Sequence, residues 1–338
     1  MNFKKLIAAV LTVLLLAGCS EPVLRDPVIP ETQPSTQAPT EAPTEAPTEA
    51  PTEAPTEAPT EAPTEDPTEA PTEAPTEAPT EAPTEAPTEA PTEAPKPKPE
   101  IGDLYSRAEL EAMDSTLNGW GPGTNRDEQN RPCGALNEQK KYGKYDACFI
   151  APSQGQIYLT FDEGYENGYT SEILDVLKEK NVKAVFFVTM PYCKSNPELV
   201  QRMVDEGHVV GNHSVRHKSM PTLSIDDMVS EVMKLHDYVK TNFGYEMNLF
   251  RPPMGEFSQQ SLAVLQTLGY KTVLWSFAYY DYEPEDQMKP EKAFKKVTGA
   301  AHEGAIYLLH AISETNTEIL GDVIDDLRSK GYSLELFS

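Results

Sequence analysis

From residue 38 to 95, proline recurs at every fourth position in the repeat APTE, interrupted only at Glu65-Asp66. Each proline removes a backbone donor and fixes its own φ, so neither a helix nor a sheet ladder can run through this stretch. Glutamate at the same period repels itself and extends the chain. With no apolar side chains to bury, the segment is expected to be a disordered, polyproline-II-rich tether, residues 19–100 with its flanks. At about 3.1 Å per residue, its reach approaches roughly 230 Å. The tether holds much of the formal net charge of −26, and the remaining 101–338 head is acidic as well. An acidic head argues against nucleic acid as a partner.

The chain starts MNFKKLIAAVLTVLLLAGCS. Two lysines, an apolar run and small residues make residues 1–18 a signal peptide, too short and wrongly flanked for a stable membrane span. The LAGC ending resembles the bacterial lipobox, which implies lipidation of Cys19; ordinary cleavage is the alternative. The expectation is a monomer on the outer face of the cell membrane, held by lipid only and reaching into the wall. Three further cysteines lie in the head. Cys133 and Cys148 could close a loop of about 15 residues, worth roughly 3 kcal/mol if unstrained. Pairing and free thiols both stay open.

Residues 101–156 are polar, with the turn clusters NGWGPG and NRPCG, and are expected to form an irregular lead-in packed on the domain. From Ile157 a regular alternation begins and runs through residues 157–338. The runs IYLTFDE, KAVFFVTM, HVVGNHS, LFRPPMG, TVLWSF, AIYLLHA and YSLELF read as strands, with helical periodicity between them. About seven strands alternating with helices predict a parallel sheet covered by helices, closed into an α/β barrel. An open doubly wound sheet is the runner-up.

The residues hardest to explain as packing all fall at carboxyl ends of predicted strands, where such folds gather their chemistry. These are Asp162, Glu163, His213, His217, Arg251, Asp281 and His310. In HSVRH the two histidines are four apart, so a single turn would aim both imidazoles the same way. With Glu163 as a third ligand they suit a divalent cation, zinc first, with cobalt or manganese as alternatives. Surface or capping histidines are the plainer reading. Neighbouring acids can divide the labour: Glu163 turns at Gly164 toward the metal, while Asp162 points into the cavity as a base. Arg251 can keep Asp162 ionised. Pro252, Pro253 and Gly255 fix a loop from which the backbone N–H of Met254 can meet an oxyanion. His310, with Asp281 as partner, can donate to a leaving amine, although LLHA also fits a core histidine. Trp275, Phe277, Tyr279, Tyr280 and Tyr282 could line a saccharide groove or, for the first two, the core. His208, His236 and His302 fit no cluster.

These residues, in this order, resemble the polysaccharide deacetylase family with the NodB-like domain, carbohydrate esterase family four. TFDEG is similar to its TFDDG motif, HSVRH to H-S/T-x-x-H, RPPMG to RxPxG and LLH to LxH; Asp281-Tyr282 stands where the family usually has Asp-Trp. The resemblance implies a distorted (β/α)7 barrel and metal-dependent hydrolysis of an N-acetyl group on a glycan. GYENGYT, DEGHVVGNHS and GAIYLLH look like the delta-lactam-biosynthetic de-N-acetylases, which implies N-acetylmuramic acid in peptidoglycan strands as substrate and Tyr165, Trp275 and Tyr282 as its contacts. N-acetylglucosamine or another acetylated glycan is the alternative, and a non-catalytic wall-binding module is a third reading. Two positions depart from the pattern: Glu163 replaces the usual Asp or Asn, and Met254 the usual Tyr or Arg.

Overall fold

The computed structural model describes residues 100–152 and 154–338. The expected signal peptide, lipidated Cys19 and the tether through residue 99 lie outside the described residues. Among the described residues no helix is long and apolar enough to cross a membrane.

The lead-in is more ordered than its polar sequence suggests. Helix α1 (Arg107–Ala112) starts on a capping box in which Ser106 and Glu109 satisfy each other's backbone N–H groups. A two-residue strand β1 (Asn118–Gly119) follows, then α2 (Cys133–Tyr142) directly after Pro132, then β2 (Ala147–Cys148). α1 is short and α2 is polar along its length, so neither leaves a clear hydrophobic pattern in the sequence. Leu110, Ala135, Tyr142, Tyr145, Ala147 and Phe149 are buried in the main core. Cys133, Cys148 and Cys193 are free thiols, so the disulfide alternative is not taken up.

The alternating part proceeds β3 (Gln156–Glu163), α3 (Thr170–Glu179), β4 (Val185–Val188), α4 (Met190–Ser195), α5 (Pro197–Asp205), β5 (Val209–Asn212) and α6 (Ile225–Phe243). It continues β6 (Leu249–Phe250), β7 (Glu256–Phe257), α7 (Gln259–Thr267), β8 (Lys271–Val273), α8 (Pro290–Gly299), β9 (Ala305–His310), α9 (Glu314–Ser329) and β10 (Ser333–Leu334). Local signals set the ends. Ser224 caps α6, and Gly244 ends it in the left-handed conformation at φ 64°.

Eight strands make one parallel sheet in the order β10-β3-β4-β5-β6-β8-β2, with β9 paired along β3. Beyond β8 the chain meets β9. Leu308 N–H donates to Phe277 O at 2.9 Å, and Ser276 N–H to Ile306 O at 3.0 Å. Those bonds join the two flanks of the curled sheet, giving the distorted barrel that was the leading expectation. The seven expected strands are present, and β2 from the lead-in adds to the β8 edge. Separately, β1 pairs antiparallel with β7.

Along β3 side chains alternate between two environments. Leu159 and Phe161 join the large core beneath the helices with Ile173, Leu174 and Leu177 of α3. Tyr158 packs on the smaller interior cluster of Val185, Phe187, Leu249, Val273 and Ile306. By this register Asp162 belongs to the interior row and Glu163 to the helix-facing row.

Candidate active site

Arg251 follows β6 and is fully buried, as is nearly all of Asp162. Its Nη1 donates to Asp162 Oδ1 at 2.7 Å, while Nε and Nη2 donate to the carbonyls of Val273 (3.0 Å) and Leu274 (3.3 Å). The guanidinium carbon lies 4.2 Å from the centre of the Phe187 ring. Gly211 makes that seat possible, because a Cβ there would stand 2.4 Å from the Phe187 ring. Burial alone would raise the Asp162 pKa, but the charge of Arg251 above all outweighs it and holds the carboxyl below its ordinary range. Asp162 is therefore an ionised carboxylate with one oxygen tied down. The other, Oδ2, lies 3.5 Å from His213 Nε2.

His213 comes one residue after β5. Its Nδ1 is 2.8 Å from the carbonyl of Arg251. A carbonyl only accepts, so Nδ1 carries the proton and Nε2 presents a lone pair. His217 reaches the same spot by a bend rather than the expected helical turn. Ser214 and His217 are left-handed (φ 71° and 53°), and His217 N–H donates to Ser214 Oγ at 2.9 Å. The two Nε2 atoms stand 3.1 Å apart. Nitrogens bound to one tetrahedral zinc at about 2.0–2.1 Å would stand roughly 3.3 Å apart, so the pair fits a shared cation. Burial is the main cause that lowers both imidazole pKa values, His213 to about 4, so both are neutral, as ligands must be.

The third expected ligand is not there. β3 stays extended through residue 163, so Glu163 points away from Asp162, and the turn at Gly164 comes too late to swing it into the cavity. Glu163 is fully buried, and neither carboxylate oxygen has a hydrogen-bond partner. Its polar neighbourhood is Glu166, Thr170 and Tyr192, on the helix side. Burial, then the charges of Glu166 and Asp162, push its pKa well above the ordinary value. Glu163 thus lies behind the site, on the helix side, and not in the cleft with the two imidazoles. Among the described residues no three His, Cys, Asp or Glu side chains gather to hold an ion. The protein offers a cation the two imidazoles, with Asp162 beside them.

His310 ends β9, on the strand beside β3 and in register with Asp162. Its Nδ1 donates to Asp281 Oδ1 at 2.7 Å, and its backbone N–H donates to Asp281 Oδ2 at 3.0 Å. Burial works against the imidazolium, but the hydrogen bond and charge of Asp281, with the charge of Asp162, outweigh it and raise the pKa. His310 is therefore a satisfied histidine at the cleft, its charged form favoured by Asp281, and not a core one. The sequence did not point to Asn316, in the first turn of α9, whose Nδ2 donates to Asp281 Oδ2 at 2.7 Å and to His310 O at 3.1 Å. A buried asparagine on the apolar face of a helix was the available signal.

Asp162, His213, His217 and His310 all open into one cleft of about 620 Å3. Tyr165, Met254, Gly255, Trp275 and Tyr282 line it too. Met254 is left-handed at φ 58° and half exposed. Gly255 brings the loop against Trp275, where a Cβ would stand 2.7 Å from the indole. Of the other aromatics, Phe277 and Tyr279 are buried in the core, and Tyr280 lies exposed beside Tyr282. His208, His236 and His302 are buried, each with a polar neighbour of its own: the backbone N–H of Ala184, the Tyr270 hydroxyl, and Ser276 with the Ala300 carbonyl.

The chain is similar to several known proteins. A family model for polysaccharide deacetylase matches residues 150–273. The peptidoglycan N-acetylmuramic acid deacetylase PdaA of Bacillus subtilis is 44% identical over 194 residues, 57% of this chain and 74% of that protein. The peptidoglycan N-acetylglucosamine deacetylase PgdA of Listeria monocytogenes is 35% identical over 182 residues, 54% of this chain and 38% of that protein. The solved structure of B. subtilis PdaA, a family 4 carbohydrate esterase, has a TM-score of 0.63 at 38% identity and covers 66% of this chain and 96% of that one.

Proposed function

The chain belongs to the polysaccharide deacetylase family, and from that premise we propose that it removes the acetyl group from N-acetylmuramic acid in peptidoglycan. The observation that carries this reading is a pair of oppositely matched groups in one cleft, a carboxylate on a guanidinium and an imidazole on a carboxylate. Asp162 is held ionised by Arg251, and His310 is held protonated by Asp281. Hydrolysis of an amide needs both.

In this scheme Asp162 Oδ2 takes a proton from a water as its oxygen bonds to the acetyl carbonyl carbon. The carbonyl electrons move onto oxygen, which the backbone N–H of Met254 meets. His310 then gives its Nε2 proton to the sugar nitrogen as the C–N bond breaks, and acetate and a free amine leave. A divalent cation held by His213 and His217, zinc first, would lower the pKa of the water and polarise the carbonyl when bound. Arg251 and Asp281 position the base and the acid. Tyr165, Trp275 and Tyr282 offer aromatic faces to sugar rings.

Peptidoglycan lies outside the membrane, so the reading implies an extracytoplasmic site. Lipidation at Cys19 and the acidic tether would hold a monomeric head at working distance from the membrane surface.

The test is mass spectrometry of enzymatically digested peptidoglycan after treatment with the full chain, with and without chelator. Loss of the acetyl mass from muramic acid, abolished by chelator, is the expected result. Loss from glucosamine instead would establish the second reading, which the Listeria relative favours. Binding to the wall with no acetate released, metal supplied, would overturn both.

A further inference from the structure

The acid side of the cleft is held from behind by a residue that makes no contact with the cleft itself. Asn316 is buried, and Ser313, the cap of α9, accepts a hydrogen bond from its backbone N–H at 3.1 Å. Its amide nitrogen donates to two acceptors at once, Asp281 Oδ2 at 2.7 Å and the carbonyl of His310 at 3.1 Å. Its amide oxygen accepts from the buried Tyr279 hydroxyl. The tyrosine can only be the donor to that oxygen, which fixes the amide orientation and leaves both N–H bonds for Asp281 and His310.

Each of these bonds limits a different motion. Asp281 is fully buried on the loop after β8, while His310 belongs to β9. Asp281 Oδ1 holds the imidazole, and Oδ2 is shared between His310 N–H and Asn316. The imidazole and the backbone N–H hold the carboxylate from His310 alone, one on each oxygen. The third donor adds a hold from α9 and ties the carboxylate to the backbone carbonyl of His310. The loop has a second link to the same helix turn, because Ser313 Oγ donates to Gln287, whose amide donates to the Asp281 carbonyl at 3.2 Å.

We propose that Asn316 is a positioning residue for proton delivery: it locks Asp281 and the β9 terminus together so that the His310 imidazole keeps its aim into the cleft. The proposal rests on the acid role assigned to His310 above. It makes Tyr279 part of the same device, one step further back.

Asn316→Ala and the milder Tyr279→Phe test it in the full chain. Asn316→Ala is expected to lower kcat for acetate release roughly 10- to 100-fold, as loss of a partner behind a functional histidine commonly does, with KM little changed. The alkaline limb of its pH–rate profile should move to lower pH, because Asp281 no longer faces the imidazole squarely, against the opposing presence of Arg251 and the remaining support of Asp162. Tyr279→Phe should shift both in the same direction by less. The His310 Nδ1–H proton resonance, followed by NMR on histidine-labelled protein, should lose its protection from exchange in Asn316→Ala without any substrate present. That readout separates the two ideas. No acetate release by wild type would sink the functional reading, while an unchanged resonance and an unchanged profile in folded variants would sink the role of Asn316. If Asn316→Ala does not fold, Tyr279→Phe with the wild-type resonance and rates overturns the proposal equally.

Discussion

Asp162 and Glu163 are neighbours on one strand, both buried, both carboxylic acids, and their pKa values are pushed in opposite directions. Asp162 faces the barrel interior, where Arg251 waits at 2.7 Å. Glu163 faces the helix layer, where its charged neighbour is another acid, Glu166. Burial is common to both, so burial does not decide. The partner on each face decides, and the two-residue period of a strand assigns the partner. One residue of register separates the acid in the cleft from the acid behind it.

The largest effect that could break this contrast is in Asp162→Asn. Replacing a general base of this kind should cut kcat by at least ~10²-fold, and near-normal acetate release would remove Asp162 from the chemistry. Next comes the partner. Arg251→Met leaves a buried carboxylate without its cation and should destabilise the fold by about 3–5 kcal/mol, as broken buried pairs do. Adding Asp162→Asn to that variant should restore much of the loss, since no buried charge then remains. Equal destabilisation in single and double variants, measured by urea unfolding, would mean that packing of Arg251 matters more than its charge.

The pH profile sharpens the contrast further. Asp162 is held below its ordinary value and His310 above its own. The base form of one and the acid form of the other therefore coexist across neutral pH. Activity should fall as pH rises through the His310 pKa, above the usual histidine value, and Asp162 should not limit it until well into acid. An alkaline limb below the ordinary histidine range would contradict the Asp281 pairing.

The smallest effect concerns stability. The folded state holds the Glu163 proton to a pH well above where the unfolded chain releases it. The stability this proton confers is complete below the unfolded pKa and is lost as pH rises through the folded one. Glu163→Gln should therefore match wild type in acid and exceed it increasingly toward neutral and alkaline pH, read as Tm at a series of pH values. A Tm difference independent of pH would mean that Glu163 is not carrying a proton.

Much of this was legible in the chain itself. The apolar runs at β3, β4, β5, β8 and β9 are long enough to mark strands, and with them came the rim that collects Asp162, His213, Arg251 and His310. The side on which Glu163 lies was not legible, because it depends on whether the backbone stays extended for one more residue before Gly164. The lead-in helices were hidden by shortness and polarity. Asn316 was hidden for a different reason: its partners, Asp281 and Tyr279, lie 35 and 37 residues away, and no local pattern announces a bond over that distance.

The most direct test sets Asp162→Asn and Glu163→Gln side by side, measuring acetate release from peptidoglycan and zinc affinity by calorimetry. The account predicts that the first abolishes turnover and that the second keeps both turnover and zinc affinity at wild-type levels. A Glu163→Gln protein that loses zinc and activity together would show that Glu163 binds the metal after all.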